Sequence, residues 1–385
     1  MKIVKPWLRS PASHSRRLSC QAISRRARAV LLWSLVALLV LQFGLAVAVD
    51  QWLPGVRDPE FAVRESRLVD HVRKTPDAPL LLVLGSSRTQ LALQAGRLSA
   101  TMESGVVVGG KVEHSKALVF NFGMPATGPL MQLTCVRRLL EKGIHPDRLF
   151  LEIMPPMLSW QRGDPLEEHM LESSRLSLRE VARLWPYYEH PRRLIWKWWL
   201  AQCLGIHRRG AALKRELAIG LDSQDADCEA YDHLMDDCGW QPRIQAIDDE
   251  RRGELTTMTY DQYAGAMTHF EVSPQISRAL FELLAICRIE GIEVTLLLMP
   301  EGAPFRALYP PEADERLEQF LAELCREEHA DLVDTRRWVD DVDFADGHHV
   351  LAHGAEVFTN RFQAEVLGPV LAKLHPELKD RRRFH

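Results

Sequence analysis

An uncharged apolar segment close to the N-terminus constrains this chain more than any other feature. Residues Ala29–Val49 form a run of 21 residues without a charged side chain, in which only Ser34 and Gln42 are polar. As a helix rising about 1.5 Å per residue, such a run spans about 30 Å, the thickness of a bilayer's hydrocarbon core. The segment therefore predicts a transmembrane anchor. The alternative is a cleaved signal peptide, because residues 46–48 read Ala-Val-Ala and fit an A-x-A cleavage site.

The charges on the two sides of this segment are strongly unequal. Residues 1–28 carry eight Lys and Arg side chains and no acidic one, whereas the whole chain has 48 basic and 52 acidic residues. The rest of the chain therefore has a net charge of −12. Because basic flanks stay on the cytoplasmic side of a membrane, we expect a single-pass protein of the cell inner membrane, with its body in the periplasm. An acidic body also argues against nucleic acid as a partner.

Beyond the anchor, short apolar runs alternate with segments of helical periodicity. Such alternation is typical of an α/β fold with a parallel sheet. The predicted strands are residues 80–84, 117–121, 148–153, 293–299 and 330–334, and the spacing predicts one helix over residues 89–102. The tract between the third and fourth strands has helical patterns and many tryptophans but no convincing strand. Three of these, Trp196, Trp198 and Trp199, fit a core, a partner surface or a membrane-surface anchor.

These features divide the chain into consecutive parts. We expect a basic cytoplasmic segment (1–28), the anchor (29–49), a juxtamembrane stalk (50–78), the first part of the α/β domain (79–157), a helical insertion (158–268) and the second part of the domain (269–385). The domain is thus expected to be one α/β unit that the insertion splits.

Several polar residues follow the predicted strands, where ligands bind in an open parallel sheet. They are Ser87 and Arg88 after the first strand, Asn121 and Gly123 at the end of the second, Glu152 in the third, Glu301 after the fourth, and Asp346 and His349 near the C-terminus. Among them, Arg88, Asn121, Glu152 and Glu301 are candidates for contacting a substrate. As alternatives, Arg88 pairs with Glu152 or faces solvent, and Glu301 is structural.

A serine directly after a buried strand suits a nucleophile, but it needs a base, and the base needs an orienting group. Asp346 and His349, three residues apart, can supply both, and His348 is an alternative base. A metal site formed by Asp346, His349 and His353 is a second interpretation. We prefer no metal and no cofactor, because the neighbouring glycines indicate a turn and no further set of ligands stands out.

The stretches LVLGSSRTQ, NFGMPATG and DGHHVLAHGAEVF together resemble the first, second and last sequence blocks of the SGNH/GDSL hydrolases. The resemblance implies a flavodoxin-like three-layer α/β sandwich. It also implies Ser87 as nucleophile, His349 as base and Asp346 as its orienting group. In addition, it implies an oxyanion hole formed by the backbone N–H groups of Ser87 and Gly123. Ser86 stands where the family's first block has aspartate.

The third block departs from the family pattern, because Leu151-Glu152-Ile153-Met154-Pro155 lacks the asparagine that donates to the oxyanion. The chain is most similar to the membrane-anchored branch with the alginate O-acetylation proteins and the D-alanine transfer protein of teichoic acid modification. This implies a serine acyl-esterase or O-acyltransferase acting on an envelope or exported glycan, with a multi-span membrane partner that delivers acyl groups. The rival hypotheses are a catalytically inactive binding or assembly protein of a polysaccharide complex, and a metal-dependent phosphohydrolase.

Overall fold

A parallel β-sheet organises the part of the chain described by the computed structural model, residues 16–52, 54–104, 106–108, 111–113, 117–204, 235–242 and 246–372. Five strands pair in parallel in the spatial order β4-β1-β5-β8-β9. They are β1 (Leu80–Gly85), β4 (Leu118–Gly123), β5 (Arg148–Ile153), β8 (Glu293–Leu298) and β9 (Asp331–Asp334). Four of them agree with the predicted strands to within one residue at each end, and β4 begins one residue and ends two residues later than predicted.

Helices and two short hairpins connect these strands. The helices are α1 (Arg16–Trp52), α2 (Pro54–Arg57), α3 (Pro59–Lys74), α4 (Ser87–Ala92), α5 (Ala95–Ser104), α6 (Pro129–Glu141), α7 (Pro155–Leu158), α8 (Leu166–Met170), α9 (Leu178–Leu184), α10 (Pro191–Leu204), α11 (Asp249–Met267), α12 (Pro274–Ile289), α13 (Ala303–Arg306), α14 (Pro311–Glu328) and α15 (Ala352–Phe362). The hairpins pair β2 (Val106–Val108) with β3 (Lys111–Glu113) and β6 (Trp160–Gln161) with β7 (Asp164–Pro165).

Two separate cores lie on the two faces of the sheet. Alternate side chains of a strand point to opposite faces, so β1 contributes Leu80, Leu82 and Leu84 to one core and Leu81 and Val83 to the other. The first core is covered by α3, α6, α12 and α14, and the second by α4, α5 and α15. The predicted three-layer α/β sandwich is therefore confirmed.

The strand order places a crevice at the carboxyl ends of β1 and β5. In chain order the sheet runs second, first, third, fourth, fifth, which is the flavodoxin-like arrangement. On the two sides of β1 the connections leave in opposite directions, and ligands bind in open α/β sheets at such a switch point. Ser87 follows β1 directly, so it lies at this crevice.

Three local predictions need correction. The helix expected over residues 89–102 is two helices, because Leu93 has an extended backbone, which interrupts the hydrogen bonds of the helix between α4 and α5. The insertion contains the β6–β7 hairpin, whose turn residues Arg162 and Gly163 both have positive φ, as a tight two-residue hairpin requires. The predicted stalk contains α3, whose Phe61 and Leu68 are buried in the first core, so this helix packs as part of the α/β body.

The N-terminal helix α1 includes one segment, Arg25–Leu45, that is long and apolar enough to cross a membrane. It starts and ends four residues earlier than the predicted span. Its apolar side chains are exposed, among them Leu31, Trp33 and Leu41. The division of the chain into six parts stays a prediction.

Candidate active site

The turn after β1 presents one hydroxyl to the crevice. Ser86 caps α4, since its side chain accepts a hydrogen bond from the backbone N–H of Arg88. Ser87 is the first residue of α4 and is partly exposed, whereas both of its neighbours are buried. Glycine is required at position 85, because a Cβ there would lie 2.1 Å from the Thr89 hydroxyl and 2.3 Å from a Glu152 oxygen.

Glu152 binds this serine turn from the neighbouring strand. Its Oε2 accepts hydrogen bonds from the Ser86 N–H and the Thr89 hydroxyl, both at 2.6 Å, and its Oε1 accepts one from the Ser86 hydroxyl at 2.8 Å. The parallel register aligns Leu84 with Leu151, so the next residue of β5 lies beside Gly85. The carboxylate is 1% exposed. Its role in the structure is therefore to hold the serine turn.

The loop before α15 brings the two other predicted residues to the same crevice. Asp346 Oδ1 accepts the backbone N–H groups of His348 at 3.1 Å and His349 at 2.8 Å. Gly347 has φ 87°, a left-handed conformation that favours glycine, and it lets the chain fold back over the carboxylate. The loop is thus shaped by Asp346 itself.

Ser87, His349 and Asp346 form a continuous chain of hydrogen bonds. Ser87 Oγ lies 2.8 Å from His349 Nε2, and His349 Nδ1 lies 2.6 Å from Asp346 Oδ2. Burial opposes ionisation of Asp346, but the charge of His349 and hydrogen bonds from both histidines outweigh it and hold the carboxyl pKa well below its usual range. An ionised carboxylate only accepts, so Nδ1 donates to it, and in the neutral ring Nε2 is left to accept the Ser87 proton.

The adjacent His348 has a different environment. It is 5% exposed, its ring stacks on Phe305 with centroids 5.1 Å apart, and it meets Tyr263 edge-on. Burial and the neighbouring charge of His349 lower the pKa of His348 to about 4. Its Nδ1 lies 3.2 Å from Asp346 Oδ1. His349, not His348, therefore faces the serine.

In the structure, the residues that could bind a metal ion differ from the predicted set. Ligand atoms of Asp346, His348 and His349 lie within 4.8 Å of one another. However, both Nδ1 atoms already contact the carboxylate, and His349 Nε2 faces Ser87, so these atoms are engaged with protein groups. His353 is exposed and contacts Asp343 instead.

Arg88 and Glu301 form a buried ion pair below the serine turn. Arg88 Nη2 lies 3.1 Å from Glu301 Oε1 and also donates to the carbonyls of Met299 and Pro300. Burial raises the pKa of Glu301, against the charge of Arg88, and the Tyr309 hydroxyl donates to the same carboxylate. Arg88 Nε is 3.9 Å from Glu152, so the cation lies between two acids.

The four predicted substrate contacts are therefore corrected. Arg88, Asn121, Glu152 and Glu301 are each at most 2% exposed. They bind protein groups in place of a substrate.

The two predicted oxyanion donors have different environments. Ser87 lies in the first turn of α4, where backbone N–H groups have no intrahelical acceptor. The Gly123 N–H, in contrast, donates to Asn121 Oδ1 at 2.9 Å. The Asn121 amide donates in turn to the carbonyls of Thr89 and Leu93 at the C-terminal end of α4. The Gly123 N–H is thus already hydrogen-bonded. Glycine at this position also permits the close approach of α4, because a Cβ on residue 123 would lie 2.3 Å from the backbone N of Gln90.

Some residues next to the site were not found from the sequence. Thr89 shares the Glu152 carboxylate, and its position three residues after Ser86 was a usable signal. Thr259 and Tyr263 come from α11 of the insertion and contact His348. No sequence pattern links α11 to the histidine loop, so only the tertiary structure shows that the insertion borders the site.

No family model matches this chain, and no curated protein matches it. Among solved structures, the chain is similar to a lipase/acylhydrolase from Enterococcus faecalis, with 12% identity and a TM-score of 0.30, over 74% of this chain and 96% of the other. It is also similar to an alpha/beta hydrolase enzyme from the metagenome of Lake Arreo, Spain, with 12% identity and a TM-score of 0.32, over 74% and 95% of the two chains. The function is therefore argued from the geometry of the site.

Proposed function

We propose that this protein is a membrane-anchored serine acyl-esterase or O-acyltransferase. The observation that carries the proposal is the hydrogen-bonded chain from Ser87 through His349 to Asp346. Ser87 and His349 are also the partly exposed members of two otherwise buried turns, so the reactive pair is reachable from solvent. If Ser87 and His349 had only a structural role, their exposure to solvent would serve no purpose.

In the first step, Ser87 Oγ attacks the carbonyl carbon of an ester, and its proton passes to His349 Nε2. The carbonyl π electrons move to oxygen, and the Ser87 N–H donates to this oxyanion. Collapse of the tetrahedral intermediate breaks the bond to the leaving alkoxide, which takes the proton from His349. Water or an acceptor hydroxyl then attacks the acyl-serine in the same way, and Ser87 regains its proton. Asp346 keeps His349 oriented throughout.

The proposed substrate is an acyl ester of an envelope or exported glycan. The supporting features are the N-terminal segment able to span a membrane, the basic residues before it and the acidic body after it, which favour a periplasmic site. Such a site has no access to cytosolic acyl donors. An O-acyltransferase of this kind therefore requires a multi-span membrane partner that delivers the acyl group.

A fluorophosphonate probe, which phosphonylates activated serines, tests the reaction. The full chain in detergent is incubated with the probe alongside Ser87→Ala and a control, Ser277→Ala, in α12 outside the site. We expect labelling of wild type and of the control but none of Ser87→Ala. Equal labelling of all three proteins contradicts a nucleophilic Ser87.

One observation favours a second function, a binding or assembly protein that keeps the fold without the reaction. The Gly123 N–H is engaged by Asn121, and residues 151–155 lack the family's asparagine donor, so oxyanion stabilisation rests on Ser87 alone among the predicted donors. Losing one such donor costs about 10²–10³ in rate. Absence of labelling in wild-type protein whose fold is intact by circular dichroism supports this alternative.

A further inference from the structure

Helix α10 of the insertion has two apolar faces, of which one is buried and the other is largely exposed, with only Trp199 packing partly against the first core. Leu194 and Trp198 are 1% and 5% exposed, and the Trp198 indole N–H donates to the Leu176 carbonyl, so this face belongs to the core. Ile195, Trp196, Trp199 and Leu200 lie on the next face at helical spacing, and we call them the aromatic face. Trp196 is 60% exposed and stacks on Trp199 with centroids 5.4 Å apart.

Two contacts relate this face to the anchor. Helix α1, which carries the apolar segment Arg25–Leu45, contacts α10 directly. Leu200, near the C-terminal end of α10, and Val56, four residues after α1 ends, also line the same cavity of about 940 Å³. The aromatic face is therefore on the part of the body nearest to where the chain leaves the apolar segment.

The composition of the region fits a membrane–water interface. Tryptophan is enriched at this depth because its ring is apolar and its N–H is polar. Trp52, at the end of α1, is 77% exposed, so the end of the N-terminal helix also presents an indole to its surroundings. Arg192 is exposed in the first turn of α10, and a cation at such a position favours anionic headgroups.

We propose that the aromatic face of α10 lies in the headgroup region of the bilayer and holds the body against the membrane. The proposal rests on the membrane anchoring in the proposed function. Its consequence is that the active site stays at a fixed distance from the bilayer instead of moving freely on a tether. The occupant of the face is thus lipid, and neither a second copy nor a protein partner.

Quenching of tryptophan fluorescence by lipid tests this. The full chain is placed in nanodiscs of phosphatidylcholine and phosphatidylglycerol, with or without lipids brominated in the upper acyl chain, which quench nearby indoles. The variants are Trp196→Phe/Trp199→Phe, Trp33→Phe in the apolar segment, and Trp338→Phe, whose ring packs under Arg361 in the body. We expect the intensity lost to brominated lipid to fall in the first two variants and to stay unchanged in the third.

Unchanged quenching in Trp196→Phe/Trp199→Phe overturns the proposal, whether a second copy, a protein or solvent covers the face. If Trp33→Phe still lowers the quenched intensity in that case, the anchor stands and only the interfacial face fails. If Trp33→Phe also has no effect, the membrane anchoring itself fails. Fluorophosphonate labelling of Ser87 reports on the catalytic part of the proposed function independently of either result.

Discussion

The serine turn and the histidine loop meet at one crevice but are stabilised in different ways. The serine turn is held by side chains that are far away in sequence, since Glu152 is 66 residues from Ser86 and Glu301 is 213 residues from Arg88. The histidine loop is held locally, because Asp346 accepts the N–H groups two and three residues ahead of it. The serine turn thus depends on the assembled sheet, whereas the backbone of the histidine loop is shaped mainly by its own hydrogen bonds, with one further bond from the Gly302 N–H to the Gly347 carbonyl.

Because of this difference, we expect substitutions in the two halves of the site to have different effects on stability and on reactivity. The charges beneath the serine turn are buried and paired, so removing one leaves a partner uncompensated in the interior. Asp346 has one oxygen for the loop backbone and the other for His349. We therefore expect substitutions under the serine turn to affect folding first, and a conservative substitution of Asp346 to affect reactivity first.

Asp346→Asn is expected to have the largest effect. The amide oxygen can keep the two backbone hydrogen bonds, whereas the NH₂ group faces His349 Nδ1 and donates to it. His349 then carries its proton on Nε2 and cannot accept the one from Ser87. Replacing the triad aspartate in this way costs about 10⁴ in kcat in a serine protease, and we expect a loss of about 10³–10⁴ in the rate of fluorophosphonate labelling.

The midpoint of thermal unfolding should change little in Asp346→Asn, because the loop keeps its backbone contacts. A labelling rate within a few-fold of wild type would mean that the hydrogen bond between Asp346 and His349 does not set the reactivity of Ser87.

Arg88→Met tests the other half of the comparison. The substitution removes the cation between Glu301 and Glu152 and leaves both carboxylates buried. Breaking a buried ion pair from one side costs about 3–5 kcal/mol, which denaturant unfolding of the full chain in detergent measures. The control is Arg97→Met, whose ion pair with Glu356 is about half exposed, and exposed pairs contribute about 0–1 kcal/mol. Equal losses in the two variants contradict a structural role for the buried pair.

These two halves also explain what could be predicted from the sequence. Asp346 and His349 are close in the chain, and Ser87 follows an apolar run, so the three were found without coordinates. The sheet was predicted for the same reason, since strand and helix periodicities are local. Glu152 was noticed, but its function depends on the register of β5 against β1, which no local pattern encodes. The engagement of Gly123 by Asn121 depends on where α4 ends, and the sequence pattern continued that helix through Leu93.

The substitution His348→Phe tests whether His348 and His349 have different roles. The pKa of His348 is about 4 in the folded protein, below the ordinary value near 6.5, so between these values the unfolded chain binds the proton and the folded chain does not. Stability therefore falls as the pH falls from 6.5 to 4, by up to about 3 kcal/mol. Phenylalanine keeps the stacking on Phe305 and removes the titration.

We expect the unfolding free energy of His348→Phe to change less than that of wild type between pH 6.5 and 4. Labelling of Ser87 at neutral pH should stay within a few-fold. Loss of labelling in this variant would instead assign the base to His348.

Glu152→Gln is expected to have the smallest effect and is the finest test of the serine turn. One amide oxygen can still accept from the Ser86 N–H and the Thr89 hydroxyl, and the Ser86 hydroxyl can rotate to accept from the new NH₂ group. Because hydrogen bonds to charged groups contribute about 1 kcal/mol more than neutral ones, and 1.36 kcal/mol corresponds to a tenfold change in rate, we expect about a fivefold lower labelling rate. Thr89→Val removes one donor and leaves the carboxylate, so it should lower the rate less. If Glu152→Gln unfolds the protein without changing the labelling rate of the folded fraction, Glu152 stabilises the sheet but does not position Ser87.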